Sequence, residues 1–252
     1  MAPPRYRSFL GSAAPWRAAT RIRAQLVMRA LLLPVKDLRN AKQRLAGLLS
    51  PEERLAFAEA MLADAIRAIQ SVRRAEKVFV VSSYEPMLRV AEQNGWEFLR
   101  EERQISESDS VDAASRLCEQ RGVTALLRLP LDLPLVRAED IDDLLATKCA
   151  NPGMVIVPSR DGTGTNALLR TPPALFPSRF GTGSFAKHVA EAEKIGAQVN
   201  IRRYARLEMD VDDESDLRAL LRQDLSGTAT HEWLARSRFA RDVALAGKAA
   251  RV

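Results

Sequence analysis

Three aspartates and a short run of cations are the residues in this chain best suited to chemistry. Asp132 lies in Leu129-Pro130-Leu131-Asp132-Leu133-Pro134-Leu135, at the end of an apolar run and between two prolines that stiffen the backbone. A carboxylate in such surroundings is costly unless it is paired or bound to a cation. Asp210 and Asp212, in Met209-Asp210-Val211-Asp212-Asp213-Glu214, project to the same side of an extended segment. With Asp132 brought beside them, they would offer the oxygen ligands that a hard cation such as Mg2+ prefers. The same acids could instead serve local structure. Asp132 could cap the turn that follows it, and Asp212 or Asp213 could cap a helix starting near Glu214; Asp213 is the better placed for that.

The cations stand in Leu31–Gly47, LLLPVKDLRNAKQRLAG. A five-residue apolar run, the length of a buried strand, switches abruptly to Lys36, Arg39, Lys42 and Arg44. In open α/β sheets ligands bind at the carboxyl ends of strands, where this loop would lie. It would form a floor for something small and multiply negative, or else a solvated turn with its charges in water. Two further turns could hold anions. Ser159-Arg160-Asp161-Gly162-Thr163-Gly164-Thr165-Asn166 has glycines that permit close backbone approach. Phe180-Gly181-Thr182-Gly183-Ser184 directly precedes a helix, so its amides and a hydroxyl would meet an anion at a helix N-terminus. No Lys-Ser/Thr follows either set of glycines, so this is not a P-loop. Cations after the first strand, carboxylates after a middle and a late strand, and two anion-holding turns make up the inventory for transferring a phosphorylated group from a magnesium-bound nucleotide. Such transfers depend on positioning and charge neutralisation.

The elements that must position these residues alternate. Strands are expected at Leu31–Val35, Lys77–Ser82, Trp96–Leu99, Thr124–Leu129, Gly153–Pro158, Thr165–Leu169 and Gln198–Tyr204. Helices are expected after the capping box Ser50-Pro51-Glu52-Glu53, and at Glu85–Asn94, Asp109–Gln120, Ala138–Cys149, Ser184–Ile195 and Glu214–Leu221. Gly95, Gly122 and Gly196 stand where helices should stop. Strands alternating with helices argue a three-layer α/β domain with a mainly parallel sheet. His188 falls inside a helix and reads as structural, and His231 as an incidental polar residue. His231–Val252 is Ala/Arg-rich and could form one helix, through Trp233, Leu234, Phe239, Val243 and Leu245, packed on the domain or on a second subunit as a homodimer contact.

Composition narrows the partners. The net charge of +6 comes from six arginines and no acids in residues 1–30, and the other 222 residues balance at 32 against 32. A nucleic-acid binder would carry its basic face on the folded domain, so no nucleic acid is expected as a partner. No apolar run reaches the ~20 residues of a membrane span, so no membrane association is expected either. Cys118 and Cys149, both in expected helices, lack metal-type spacing, and a reducing cytoplasm without disulfides is the expectation. The chain divides into a basic extension (1–27), a nucleotidyltransferase domain (28–225) and a C-terminal helical extension (226–252). The extension is expected to be a disordered segment or a spurious lead-in to Met28 first, an interaction arm second, and a transit peptide, which its composition resembles, third.

PVK-x4-AK-x-RL from Pro34 to Leu45, DLPL from Asp132, GTGT from Gly162, FG-x-x-S from Phe180 and DVD from Asp210 with a following DL resemble, in order and spacing, the guanylyltransferases of coenzyme F-420 biosynthesis. These act on 2-phospho-L-lactate, phosphoenolpyruvate or 3-phospho-D-glycerate. The resemblance runs from about Met28 to Leu221. It implies the nucleotide-diphospho-sugar transferase fold, a Rossmann-like three-layer α/β/α sandwich. It also implies transfer of GMP from GTP to the phosphate of a small phosphorylated three-carbon acid, with release of pyrophosphate. By the same resemblance Asp132, Asp210 and Asp212 hold Mg2+, Lys36, Lys42 and Arg44 neutralise phosphates, and Thr165, Gly181 and Ser184 bind the acceptor. Leu131 departs from the family's usual glycine, and Ser110-Val111-Asp112 from its usual apolar-Asn pair. A transferase of the same fold for a sugar, polyol or molybdopterin phosphate is the alternative, disfavoured because PVK replaces the Gly-rich turn with Arg. A silent nucleotide-binding scaffold is the second alternative, and three costly acids argue against it. Deletion of residues 1–27 is expected to leave activity unchanged; an inactive truncation in a steady-state assay would make the arm part of the enzyme.

Overall fold

The computed structural model describes residues 27–103 and 105–241, so the basic segment up to residue 26 and the end of the expected C-terminal helix lie outside the described residues. Strand β1 (Arg29–Val35) opens the fold and runs into two 3-10 turns, Leu38–Asn40 and Gln43–Leu45. Helix α1 (Pro51–Gln70), β2 (Lys77–Ser82), α2 (Pro86–Asn94), β3 (Glu97–Arg100), α3 (Glu107–Gln120), β4 (Ala125–Arg128) and α4 (Ala138–Ala146) follow. The second half comprises β5 (Gly153–Pro158), β6 (Thr165–Thr171), α5 (Ser184–Lys194), β7 (Gln198–Ile201), α6 (Glu214–Leu220) and α7 (Ala229–Arg236).

The seven strands form one sheet in the order β3-β2-β1-β4-β6-β5-β7. Four of its pairings are parallel, and the two made by β6, to β4 and β5, are antiparallel. Two consequences follow for the site. The order reverses between β1 and β4, so a crevice opens there at the carboxyl ends of the strands. Because β6 runs backwards, it is its first residue, Thr165, that comes to this same edge, beside the end of β5.

Alternation along the strands builds the layers. Leu31, Leu33 and Val35 pack with Ala65 and Ile69 of α1, Met87 and Ala91 of α2, and Ile141 and Leu144 of α4. Ala30 and Leu32 turn to the opposite face and meet Val111, Ala114 and Cys118 of α3. On that second face Met154, Ile156 and Leu168 pack against α5. The result is the three-layer α/β/α sandwich. Each fully buried leucine of β1 contributes about 1.5–3 kcal/mol relative to exposure.

The capping box at the start of α1 is present: Ser50 Oγ accepts from the Glu53 amide at 3.2 Å, and the Glu53 carboxylate accepts from the Ser50 amide at 2.8 Å. Gly95 and Gly196 are left-handed at φ 66° just past their helices, as stop signals require. Three expectations are corrected. Cys149 lies beyond α4, because Thr147 takes up extended backbone and Pro152 disfavours helix at the residue before it. Gln198–Tyr204 pairs only to Ile201. The C-terminal helix is not continuous from His231: α7 ends at Arg236, where Ser237 turns extended at ψ 145°.

Helix α7 packs on the domain itself. Trp233 lies against Phe57 with ring centroids 4.6 Å apart, within a second core that also holds Leu45, Met61, Leu217 and Phe239. The buried carboxylate of Asp64 accepts from the amides of Ala229 and Thr230, at 2.7 and 2.9 Å, and so anchors the first turn of α7 to α1. Asp64→Ala is therefore expected to leave two amides unsatisfied and to cost about 1–3 kcal/mol in urea unfolding. An unchanged midpoint would show that water replaces the carboxylate without penalty.

Candidate active site

A cleft of about 860 Å³ opens at the carboxyl edge of the sheet, and Lys36, Lys42, Arg44, Asp132, Thr165, Gly181, Ser184, Asp210 and Asp212 all line it. The chain distances between them are large, and the sheet topology is what closes them.

Lys42 is the centre of the arrangement. It follows β1, and it is the non-glycine residue with positive φ among the described residues (φ 53°, ψ 40°). Left-handed backbone costs a side chain on the order of 1–2 kcal/mol and persists where the surroundings fix it. Here the ammonium reaches Asp132 Oδ2 at 2.7 Å and Asp212 Oδ1 at 3.2 Å, with the lysine side chain only 6% exposed. Burial alone would lower the Lys42 pKa, but the charges of Asp132 and Asp212 outweigh it and hold the ammonium above its ordinary range. Burial likewise pushes the Asp132 carboxyl upward, and the facing Lys42 charge more than reverses this. Arg44 stands at the rim, 4.0 Å from Asp212. Lys36 is exposed, and Arg39 folds back onto Asp37.

Among the described residues no cation pairs with Asp210. Asn166 Nδ2 donates to its Oδ1 at 3.1 Å and fixes the carboxylate in place. Burial, then the negative charges of Asp132 and Asp212, push the Asp210 carboxyl up to about 6. Asp213 is the cap of α6, accepting from the amides of Ser215 and Asp216, and Asp216 returns the contact to the Asp213 amide. Asp212 is thus left to face the cleft. Among the described residues no three acidic, histidine or cysteine side chains close into an ion cage by themselves.

The opposite wall comes from the two glycine turns. Asp161, whose carboxyl is held down at about 2 by hydrogen bonds from Ser159 and Thr163, ties the first turn together. A Cβ on Gly164 would meet Ser159 Oγ at 2.8 Å, so the turn requires glycine there. Thr165 Oγ1 and Ser184 Oγ, both buried, lie 3.1 Å apart. The amides of Ser184 and Phe185 are already used, by the carbonyls of Gly181 and Thr163. The anion-holding amides expected of the helix start are therefore those of Gly181, Thr182 and Gly183, which among the described residues donate to no protein acceptor.

Four residues of this wall were given no role in the site by the sequence. Arg128 ends β4, pairs with Glu107, donates to the Thr165 carbonyl at 3.2 Å and lies over the Phe180 ring at 4.2 Å. An arginine inside the apolar run Ala125–Leu129 was its one visible signal. Asn166, a polar residue inside a strand, carried a similar signal. His188 is fully buried beneath Thr165 and Ser184. Phe180 lies under the Arg128 guanidinium and meets the His188 ring edge-on.

Known proteins resemble this chain in sequence and in fold. A family model described as "Guanylyl transferase CofC like" matches residues 28–251, including α7. A phosphoenolpyruvate guanylyltransferase of Conexibacter woesei is 36% identical over 190 residues, covering 75% of this chain and 85% of that protein. A 2-phospho-L-lactate guanylyltransferase of Methanothermobacter thermautotrophicus is 33% identical over 210 residues, covering 82% of this chain and 90% of that protein. Among solved structures, a candidate nucleotide-diphospho-sugar transferase from Desulfovibrio desulfuricans superposes with a TM-score of 0.68 at 14% identity, over 83% of this chain and 95% of that one. A cytidylyltransferase from Leptospira borgpetersenii gives 0.53 at 13% identity, over 81% and 92%. These two establish the fold alone.

The Asp210 carboxyl titrates near 6 in the folded chain against 3.8 ordinarily, so the folded state binds the proton more tightly and loses stability as pH rises through that window. Asp210→Asn removes this loss. In chelator the variant is expected to be more stable than wild type at pH 7, by at most about 3 kcal/mol before discounting for solvent screening. The two should converge below pH 4. Equal stability at pH 7 would show that the carboxylate ionises there without cost.

Proposed function

The chain belongs to the CofC-like guanylyl transferase family, and on that premise we propose that it moves GMP from GTP to the phosphate of a three-carbon phospho-acid in coenzyme F-420 biosynthesis. Phosphoenolpyruvate and 2-phospho-L-lactate, the acids in its relatives' names, are the acceptors proposed first. One observation carries the reading. Lys42 joins Asp132 and Asp212 on one wall of a single cleft, and the hydroxyls of Thr165 and Ser184 with the turn amides of Gly181–Gly183 stand on the other. A cationic and carboxylate wall suits a polyphosphate, and a neutral donor wall suits a second, smaller anion.

The reaction forms a bond from an acceptor phosphate oxygen to the α-phosphorus of GTP and breaks the bond from that phosphorus to the β-bridging oxygen, which leaves with pyrophosphate. The attacking oxygen is already anionic near neutral pH, so no general base is required. The barrier lies in bringing anions together, and fixed cations and oriented amides lower it. Lys42 and Arg44 are placed to neutralise the nucleotide's phosphates, with Lys36 at the rim. Thr165, Gly181 and Ser184 orient the acceptor. His188 and His231 take no part in proton transfer.

The carboxylates fit a divalent cation. The donors are all oxygen, and a cation would offset what burial and the neighbouring charges of Asp132 and Asp212 impose on the Asp210 carboxylate. Mg2+ is usually held by one or two carboxylates together with substrate phosphates. Asp132, Asp210 and Asp212 would hold it. Bound there, it would neutralise charge developing on the phosphates.

Pyrophosphate release with Mg2+ tests the reading, across the four nucleoside triphosphates, with phosphoenolpyruvate, 2-phospho-L-lactate, 3-phospho-D-glycerate and sugar phosphates as acceptors. Release is expected with GTP and a phospho-acid. Release only with a sugar phosphate would overturn the acceptor class. Asp132→Asn is expected to lower turnover by about 10³-fold or more with the fold intact, by analogy with loss of a transition-state electrostatic contact; normal turnover would remove Asp132 from the reaction.

A further inference from the structure

The hydroxyls of Thr165 and Ser184 can face an anion usefully only if one of their protons is free to point at it. The surroundings settle how many are free. Thr165 Oγ1 lies 3.1 Å from Ser184 Oγ and 3.1 Å from His188 Nδ1, and both hydroxyl residues line the cleft. The other ring nitrogen, His188 Nε2, receives the backbone N–H of Arg179 at 2.9 Å. A backbone amide can only donate, so Nε2 carries no proton. The ring is therefore neutral and its proton sits on Nδ1. The contact to Thr165 must then run from imidazole to hydroxyl.

The proton count follows. The two hydroxyls have two protons. Their mutual contact uses one. The contact with His188 uses neither, because the imidazole supplies its own. One hydroxyl proton remains for the cleft. With the opposite tautomer, Thr165 would donate to Nδ1 and Ser184 to Thr165, and the pair would offer an anion nothing but lone pairs. Such an arrangement repels a phosphate or carboxylate. The surroundings keep the ring uncharged: His188 is fully buried, Phe180 lies edge-on at 4.8 Å, and Arg170, Arg128 and Arg179 outnumber Glu191 around it.

We propose that His188 is a positioning residue whose tautomer, fixed by the Arg179 amide, makes the Thr165–Ser184 pair a hydrogen-bond donor toward the anionic acceptor. The inference rests on the reading of these two residues as part of the acceptor site. It gives a role to a buried histidine that packing alone would leave as filler for the space under Phe180.

Two measurements test it. The chain has two histidines, and His231 is exposed, so ¹⁵N-imidazole NMR of the full-length protein resolves two rings. His188 is expected as the Nδ1–H tautomer, unchanged between pH 5 and 9. An Nε2–H ring or a titrating His188 would overturn the proposal. The second measurement compares His188→Asn with His188→Gln. Asparagine places an amide N–H near the Nδ1 position and keeps the donor to Thr165. Glutamine reaches the Nε2 position and keeps the acceptor for Arg179. The Asn variant is expected to hold its KM for phosphoenolpyruvate within about twofold of wild type, and the Gln variant to raise it about tenfold or more, as loss of a hydrogen bond to a charged group does. The KM for GTP should stay constant in both. Equal KM changes in the two variants, or the larger one in Asn, would reduce His188 to a purely structural role. Failure of the wild-type protein to turn over any phospho-acid would overturn the proposed function and this inference with it; turnover with the reversed tautomer would overturn the inference alone.

Discussion

The buried ion pair of Lys42 with Asp132 and Asp212 is the constraint on which the site depends. It spans 90 and 170 residues of chain and joins the loops after β1 and β4 to the segment that leads into α6. The desolvation of a nearly buried ammonium is offset only because two carboxylates face it. The left-handed backbone of Lys42 adds to the cost, and the ion pairs with Asp132 and Asp212 help to hold it. Asp210, a residue pair away, receives no such cation and is left with a proton affinity far above the ordinary carboxylate range.

The second half of the sheet supplies the opposite wall through one topological feature. Strand β6 runs antiparallel, so it delivers Thr165 and Asn166 to the active edge, and their alternation sends them to different tasks. Thr165 joins Ser184 and His188. Asn166 turns the other way and holds Asp210. Two adjacent residues at the start of one strand therefore tie the donor wall to the carboxylate wall. Arg128 and Phe180 brace the same corner, through the Thr165 carbonyl and the underside of the glycine turn. The hydrogen bonds within the Asp161 turn, and the close approach at Gly164, keep this corner in one shape.

The helical extension belongs to the packing of the domain. Helix α7 is anchored by Asp64 and by the Phe57–Trp233 contact, and its core reaches Leu45, three residues from Lys42. The loop that carries Lys42 is thus backed by α7, and the family match continues through this segment.

The sequence by itself determined the alternation of elements, their caps and stops, and the type of residue at each strand end. These are local properties: apolar periodicity, a capping box and glycines at left-handed positions act over a few residues and survive any arrangement of the rest. It also marked Asp132, Asp210, Asp212 and Lys42, because charge beside apolar strands is costly and stands out. Only the tertiary structure decided which of these meet. Nothing local says that β6 runs backwards, that Lys42 lies between two carboxylates while Lys36 stays at the rim, or that His188 lies beneath Thr165. Those facts depend on strand order and on the balance of burial against ion pairing, and both are settled by residues far apart in the chain.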